Sequence, residues 1–151
     1  MPDGKVMTES AAIILHLADR YPHAGLVPAV DDPLRPTFLR WLAFLVSAVY
    51  PTFTYGDAPK RWVGGDEAAG KLLRTGTDEH RNMLWQYVER HVDGPWFLGA
   101  ESSALDLYMW PMTVWRPGRD WFKQHCPKLH AIGIAMDVDA VCHAVAVRNG
   151  L

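Results

Sequence analysis

Thr8-Glu9-Ser10 and Ser103-Ala104-Leu105-Asp106 are the two places in this 151-residue chain where residue type and spacing suggest specific chemistry. The first sets an acid and two hydroxyls ahead of an apolar stretch carrying Ala12, Ile13, Leu15, Leu17 and Ala18. Thr, Glu and Ser are residues that any helix start prefers. A helix start also presents unsatisfied amides and a positive partial charge, which can stabilise a bound carboxylate by roughly 0.3 to 2 kcal/mol. Taken alone the triplet reads as a cap, and a carboxylate site needs support from its surroundings. The second pair, Ser103 and Asp106, stands before an apolar run to Trp115, at the spacing in which each side chain satisfies an orphan amide of the first turn. It belongs to folding.

Other reactive types do not assemble into a site. Seven histidines are scattered from His16 to His143. His125, Cys126 and His130 are close in sequence but lack a fourth ligand, so no metal is expected. The two cysteines, Cys126 and Cys142, read as reduced structural thiols rather than a disulfide framework. Gly64-Gly65 and Gly99 lack the strand, loop and helix order of a phosphate cradle. Asp57, Asp66 and Glu67 read as solvated loop acids, with nothing to hold two of them together.

The elements that must carry these residues are nearly all helical. Pro2-Asp3-Gly4 is a turn signal and Lys5-Val6-Met7 a short extended candidate. A helix is expected from Glu9 to Tyr21, ended by Pro22. The stretch from His23 to Asp32 has no period and reads as a linker. A long helix capped by Asp32 follows, with Phe38, Trp41, Leu42, Leu45 and Val49 at helical spacing, and Pro51 ends or bends it. Phe53 to Asp57 reads as an aromatic loop, and Glu67 to Arg74 as a turn or two of helix. Thr77 caps a strong helix that Gly94-Pro95 stops. Pro111 should kink the helix after Ser103. Short helices are expected near Asp120 to His125, from Pro127, and near Asp139 to Val147.

Apolar residues make up 49% of the chain and charged residues 21%, so one well-packed domain is expected, with seven tryptophans to fill it. The net charge of −2 comes without a basic stripe, which argues against nucleic acid as a partner. No apolar run approaches the roughly 20 residues that cross a bilayer, and no secretory signal is apparent. No membrane association and a cytoplasmic location are the expectations.

The extended segment, Thr-Glu-Ser, and then Ala12-Ile13-Ile14 with Leu17-Ala18-Asp19, followed by the aromatic helix, Trp96-Phe97-Leu98-Gly99 and the Ser103 to Asp106 cap, resembles the glutathione transferase family over nearly the whole chain. The resemblance implies an all-α C-terminal helical bundle over residues 33–151. Residues 23–32 would form the linker, and residues 1–22 a short remnant of the thioredoxin-like domain: its last strand and third helix. It further implies that Glu9 faces the ammonium of glutathione, while Ser10 and backbone amides receive the γ-glutamyl carboxylate. Tyr50, Phe53, Tyr55, Met109 and Trp110 are implied as lining for an apolar acceptor pocket. Large aromatic side chains also fill ordinary cores, and both readings of these five stay open.

In that family a Tyr, Ser or Cys near the start of the thioredoxin-like domain activates the thiol. No position of this chain corresponds to it, so the chain is expected to supply one corner of a glutathione site and to be inactive alone. The function implied is conjugation of glutathione, as co-substrate, to a small apolar electrophile by the full-length form. The alternative is a non-catalytic binding or scaffold domain. A homodimer is implied as well, through an interface that draws on the thioredoxin-like half.

Overall fold

The computed structural model describes residues 4–150. Eight α-helices follow one another among them: α1 (Ser10–Arg20), α2 (Arg35–Phe44), α3 (Tyr50–Asp57), α4 (Glu67–Glu89), α5 (Ala104–Val114), α6 (Arg119–His125), α7 (Pro127–Val138) and α8 (Ala140–Asn149). The expected all-α class is what is found. Among the described residues the only β contact is an isolated bridge between Trp96 and Gly99, so Lys5 to Met7 forms no strand, and Val6 is exposed. The turn expected at Pro2-Asp3-Gly4 lies mostly outside the described residues.

α5 is the central element. Its Leu105, Met109 and Met112 fall one helical turn apart, are almost completely buried, and share one core with Phe38, Leu45, Trp85, Phe97, Phe122 and Leu129. Burying such side chains contributes about 1.5 to 3 kcal/mol each. The start of α5 is fixed by a closed capping box. Asp106 Oδ2 accepts from the Ser103 amide at 2.8 Å, and Ser103 Oγ accepts from the Leu105 amide at 3.2 Å. Asp106 Oδ1 also accepts from the Phe97 amide at 2.8 Å, which ties the Trp96 to Gly99 turn to the helix.

Two elements depart from expectation. Pro51 does not end its helix: α2 passes through a π-helical stretch, Leu45–Val49, directly into α3. A proline ring clashes with the carbonyl four residues earlier, and a wider preceding turn makes room for it. Phe53 to Asp57 is therefore helix rather than loop. Thr77 does not cap a helix either. α4 runs unbroken from an N-cap at Asp66, and the Thr77 hydroxyl bonds back to the Leu73 and Arg74 carbonyls, both at 2.9 Å. Asp78, in the middle of α4, is thereby free to pair with other elements. Asp32 accepts from the Leu34 amide at 2.8 Å in a turn just before α2, slightly ahead of the helix it was expected to cap.

No single described helix is long and apolar enough to cross a membrane; α7 and α8 would pass together, but they meet at 88°.

Candidate functional site

α1 opens on Glu9, whose φ of 66° makes it the one non-glycine residue in the left-handed region among those described. Holding a glutamate there costs on the order of 1 to 3 kcal/mol, and such strain persists where the surroundings over-determine the backbone. Ser10 is the first helical residue, and its hydroxyl lies 3.1 Å from that of Tyr108 on α5. Burial pushes the Tyr108 phenol up; the Ser10 bond opposes this, while nearby Tyr50 and Glu9 add to it. Either hydroxyl of this pair can donate to the other.

Tyr50 leads from this polar corner into an aromatic cleft. Its ring meets Phe53 at 6.4 Å and Trp115 at 6.1 Å, and Phe53 meets Trp115 at 5.2 Å, all edge to face. With Thr54, Asp57 and Arg116 they line a cavity of about 380 Å³. Arg116 closes its far end, donating from Nη1 to Asp57 at 2.5 Å and from Nη2 to Asp78 at 3.3 Å. Asp78 also accepts from Arg81 at 2.7 Å. Burial pushes Asp78 up, but the bonds and charges of Arg81 and Arg116 outweigh it and hold the carboxyl below its usual range. Arg81 is 1% exposed, with its guanidinium 4.6 Å from the centre of the Phe53 ring.

Of the residues singled out in the sequence, Glu9, Ser10 and Tyr50 lie near Tyr108, and Phe53 joins them through its ring contact with Tyr50. Three others lie elsewhere. Tyr55 faces away and packs on Trp62 at 4.8 Å. Met109 is part of the central core. Trp110 belongs to a small cluster with Met136 and Cys142, and its ring nitrogen donates to Asp137 at 2.7 Å. The physical reason lies in the turn of α5: Met109 shares the buried stripe of Leu105 and Met112, while Tyr108 shares the half-buried stripe of Pro111 and Trp115. That stripe was legible as a helical period, and Tyr108, with an apolar ring and a polar tip, is the residue on it suited to a wet pocket edge. Trp115 and Arg116 were missed because they follow the helix end.

Burial, with help from the charge of Glu89, pushes the Cys126 thiol up to about 12, which makes it a poor nucleophile. Among the described residues no group of three His, Cys, Asp or Glu side chains is placed to hold a metal ion.

No family model matches the chain. It is 35% identical over 152 residues to the uncharacterized GST-like protein YncG of Escherichia coli strain K12, a match that spans 100% of this chain and 69% of that protein. It is 26% identical over 117 residues to glutathione S-transferase GST-4.5 of Xanthomonas campestris, across 75% of this chain and 55% of that protein. The chain thus spans about two-thirds of the first relative and about half of the second. A solved glutathione transferase homolog from Sulfitobacter, with bound glutathione, superposes with a TM-score of 0.87 at 24% identity, over 100% of this chain and 72% of that one.

Proposed function

Since the chain belongs to the glutathione S-transferase-like family, we propose that it forms the γ-glutamyl corner and the acceptor wall of a glutathione-conjugating site. The observation that carries this reading is the strained Glu9 backbone at the head of α1, with Ser10 joined to Tyr108 and Tyr108 close enough to feel Tyr50, which lines the aromatic cleft. In this reading the amides and hydroxyl at the start of α1 receive the γ-glutamyl carboxylate, and the Glu9 carboxylate faces the ammonium. Tyr108, a phenol able both to donate and to accept, adds a hydrogen-bonding group across the corner. Tyr50, Phe53 and Trp115 form the wall against which a small apolar electrophile lies, and these replace Tyr55, Met109 and Trp110 as the acceptor contacts. The chain's own groups bind and orient; activation of the thiol falls to the thioredoxin-like half of the full-length form, which would act in the cytoplasm.

The test is calorimetry of the purified chain with glutathione, followed by Ser10→Ala and Tyr108→Phe. One corner of a site supports weak binding, with a Kd on the order of 1 mM, further weakened in both variants. Submicromolar affinity would contradict this division of labour, and binding indifferent to both substitutions would remove the corner from it. An exposed, largely apolar groove between α3 and α4, which includes Pro51, Tyr55, Leu72 and Gly76, supports the homodimer as part of the same proposal. A sedimentation measurement separates one 17.0 kDa chain from two.

A further inference from the structure

The far end of the aromatic cleft carries an imbalance of charge that the conjugation reading does not use. Arg116, Arg81 and Arg74 converge on only two carboxylates, Asp57 and Asp78. Arg74 is the most distant, at 3.6 Å from Asp78, and Arg81 is shut away behind Phe53. Two Arg81 nitrogens, Nε and Nη1, and Nε of Arg116 are buried with no hydrogen-bond partner. Unpaired buried donors on a cation are costly, but those of Arg81 are out of reach of anything in the cleft, which leaves Arg116 as the group an added acceptor can meet. Of the three guanidiniums Arg116 alone lines the cavity, and it is about one-third exposed. It is held there by a tight fit: a Cβ at Gly56 would lie 3.1 Å from Arg116 Nη2 and 2.9 Å from Thr77 Oγ1.

We infer that the cleft selects aromatic compounds carrying a carboxylate, the ring lying against Phe53 and Trp115 and the carboxylate taken by Arg116. The inference rests on the acceptor-wall reading above and deepens it. Asp57 opposes an incoming anion, but it is itself engaged by Arg116 Nη1 and is more than half exposed, so its repulsion is screened by water. Behind Phe53, Arg81 is balanced by Asp78, so the charge that meets the ligand is that of Arg116.

Binding of 1-naphthoate and of its neutral isostere 1-naphthamide, each measured by calorimetry on the full chain, tests this. The carboxylate should bind about tenfold more tightly than the amide, the value of one charge-assisted hydrogen bond. Arg116→Gln should erase the preference by weakening the carboxylate more than the amide, and Asp57→Asn should widen it. Far-UV circular dichroism establishes that each variant is folded. Should Arg116→Gln fail to fold, the wild-type ratio and Asp57→Asn still decide. Equal binding of the two arenes, or a preference that Asp57→Asn leaves unchanged, overturns the inference alone. Absence of binding by both overturns the acceptor wall and this inference with it.

Discussion

The Ser10 hydroxyl meets the Tyr108 hydroxyl at 3.1 Å across 98 residues of sequence, joining the first turn of α1 to the second turn of α5. α5 is the most firmly anchored element of the core, through the Asp106 cap and the Met109 stripe, whereas α1 has no fully buried residue. The contact between Ser10 and Tyr108 thus ties the exposed helix to the anchored one, one residue from the strained Glu9 backbone.

Tyr108 gives this link a pH signature. Its folded pKa is raised from the ordinary 10.0. A group raised on folding contributes stability that is full below its unfolded pKa and is lost as pH rises through the folded value. Tyr108→Phe should cost about 1 kcal/mol at neutral pH through the lost hydrogen bond. The gap between wild type and variant should then shrink as pH rises past the ordinary tyrosine range. Denaturant titrations at several alkaline pH values measure it, and a gap constant with pH would show that Tyr108 is not coupled in this way.

Glu9→Gly separates strain from binding. Glycine adopts a φ of 66° without steric cost, so the variant should be more stable than wild type by about 1 kcal/mol. Glutathione binding, followed by NMR shifts at millimolar ligand, should weaken because the acid facing the ammonium is gone. Glu9→Ala keeps the strain and loses the acid, and should show the weaker binding without the gain. A Glu9→Gly variant less stable than wild type would mean that the side chain, not the backbone, governs this turn.

How much of this was legible in the sequence follows from how local each signal is. Ser103 and Asp106 are three residues apart and fix a helix start between them, so the box could be read directly. Pro22, Pro127 and Asp139 mark boundaries in the same local way. Thr77 imitates a cap, but packing of α3 on α4 and the Asp78 ion pairs accompany a helix that stays whole. The π-helical stretch before Pro51 has no sequence period of its own. Glu9 and Ser10 stood out only through the order of elements around them, while the Tyr108 contact was invisible because its partner is brought in by the fold.

Asp78→Asn tests the ion network under the cleft. Arg81 is 1% exposed and Asp78 is its hydrogen-bonded counter-ion, so the variant should lose about 3 kcal/mol at neutral pH. Because the folded pKa of Asp78 is depressed, its contribution is present above the ordinary value of 3.8 and lost as pH falls through the folded value. Wild type and variant should therefore converge in acid. Parallel acid-unfolding curves would show that Arg81 is stabilised by something other than Asp78.

Gly56→Ala probes the same network from the opposite side. Gly56 is buried on α3, and a methyl there would press on Thr77 Oγ1 at 2.9 Å and on Arg116 Nη2 at 3.1 Å. Thr77 sits on the backbone of α4 with its hydroxyl tied to two carbonyls, so it yields less readily than the long Arg116 side chain. The variant should lose about 1 to 3 kcal/mol, the usual cost of overpacking a filled site. In a Thr77→Ala background the closer obstacle is gone, and the same glycine substitution should cost less than half as much. Denaturant unfolding of the four proteins closes the cycle. Additive costs would mean that the helices do not meet at this point, and that Arg116 is not held at the end of the cleft by the fit between α3 and α4.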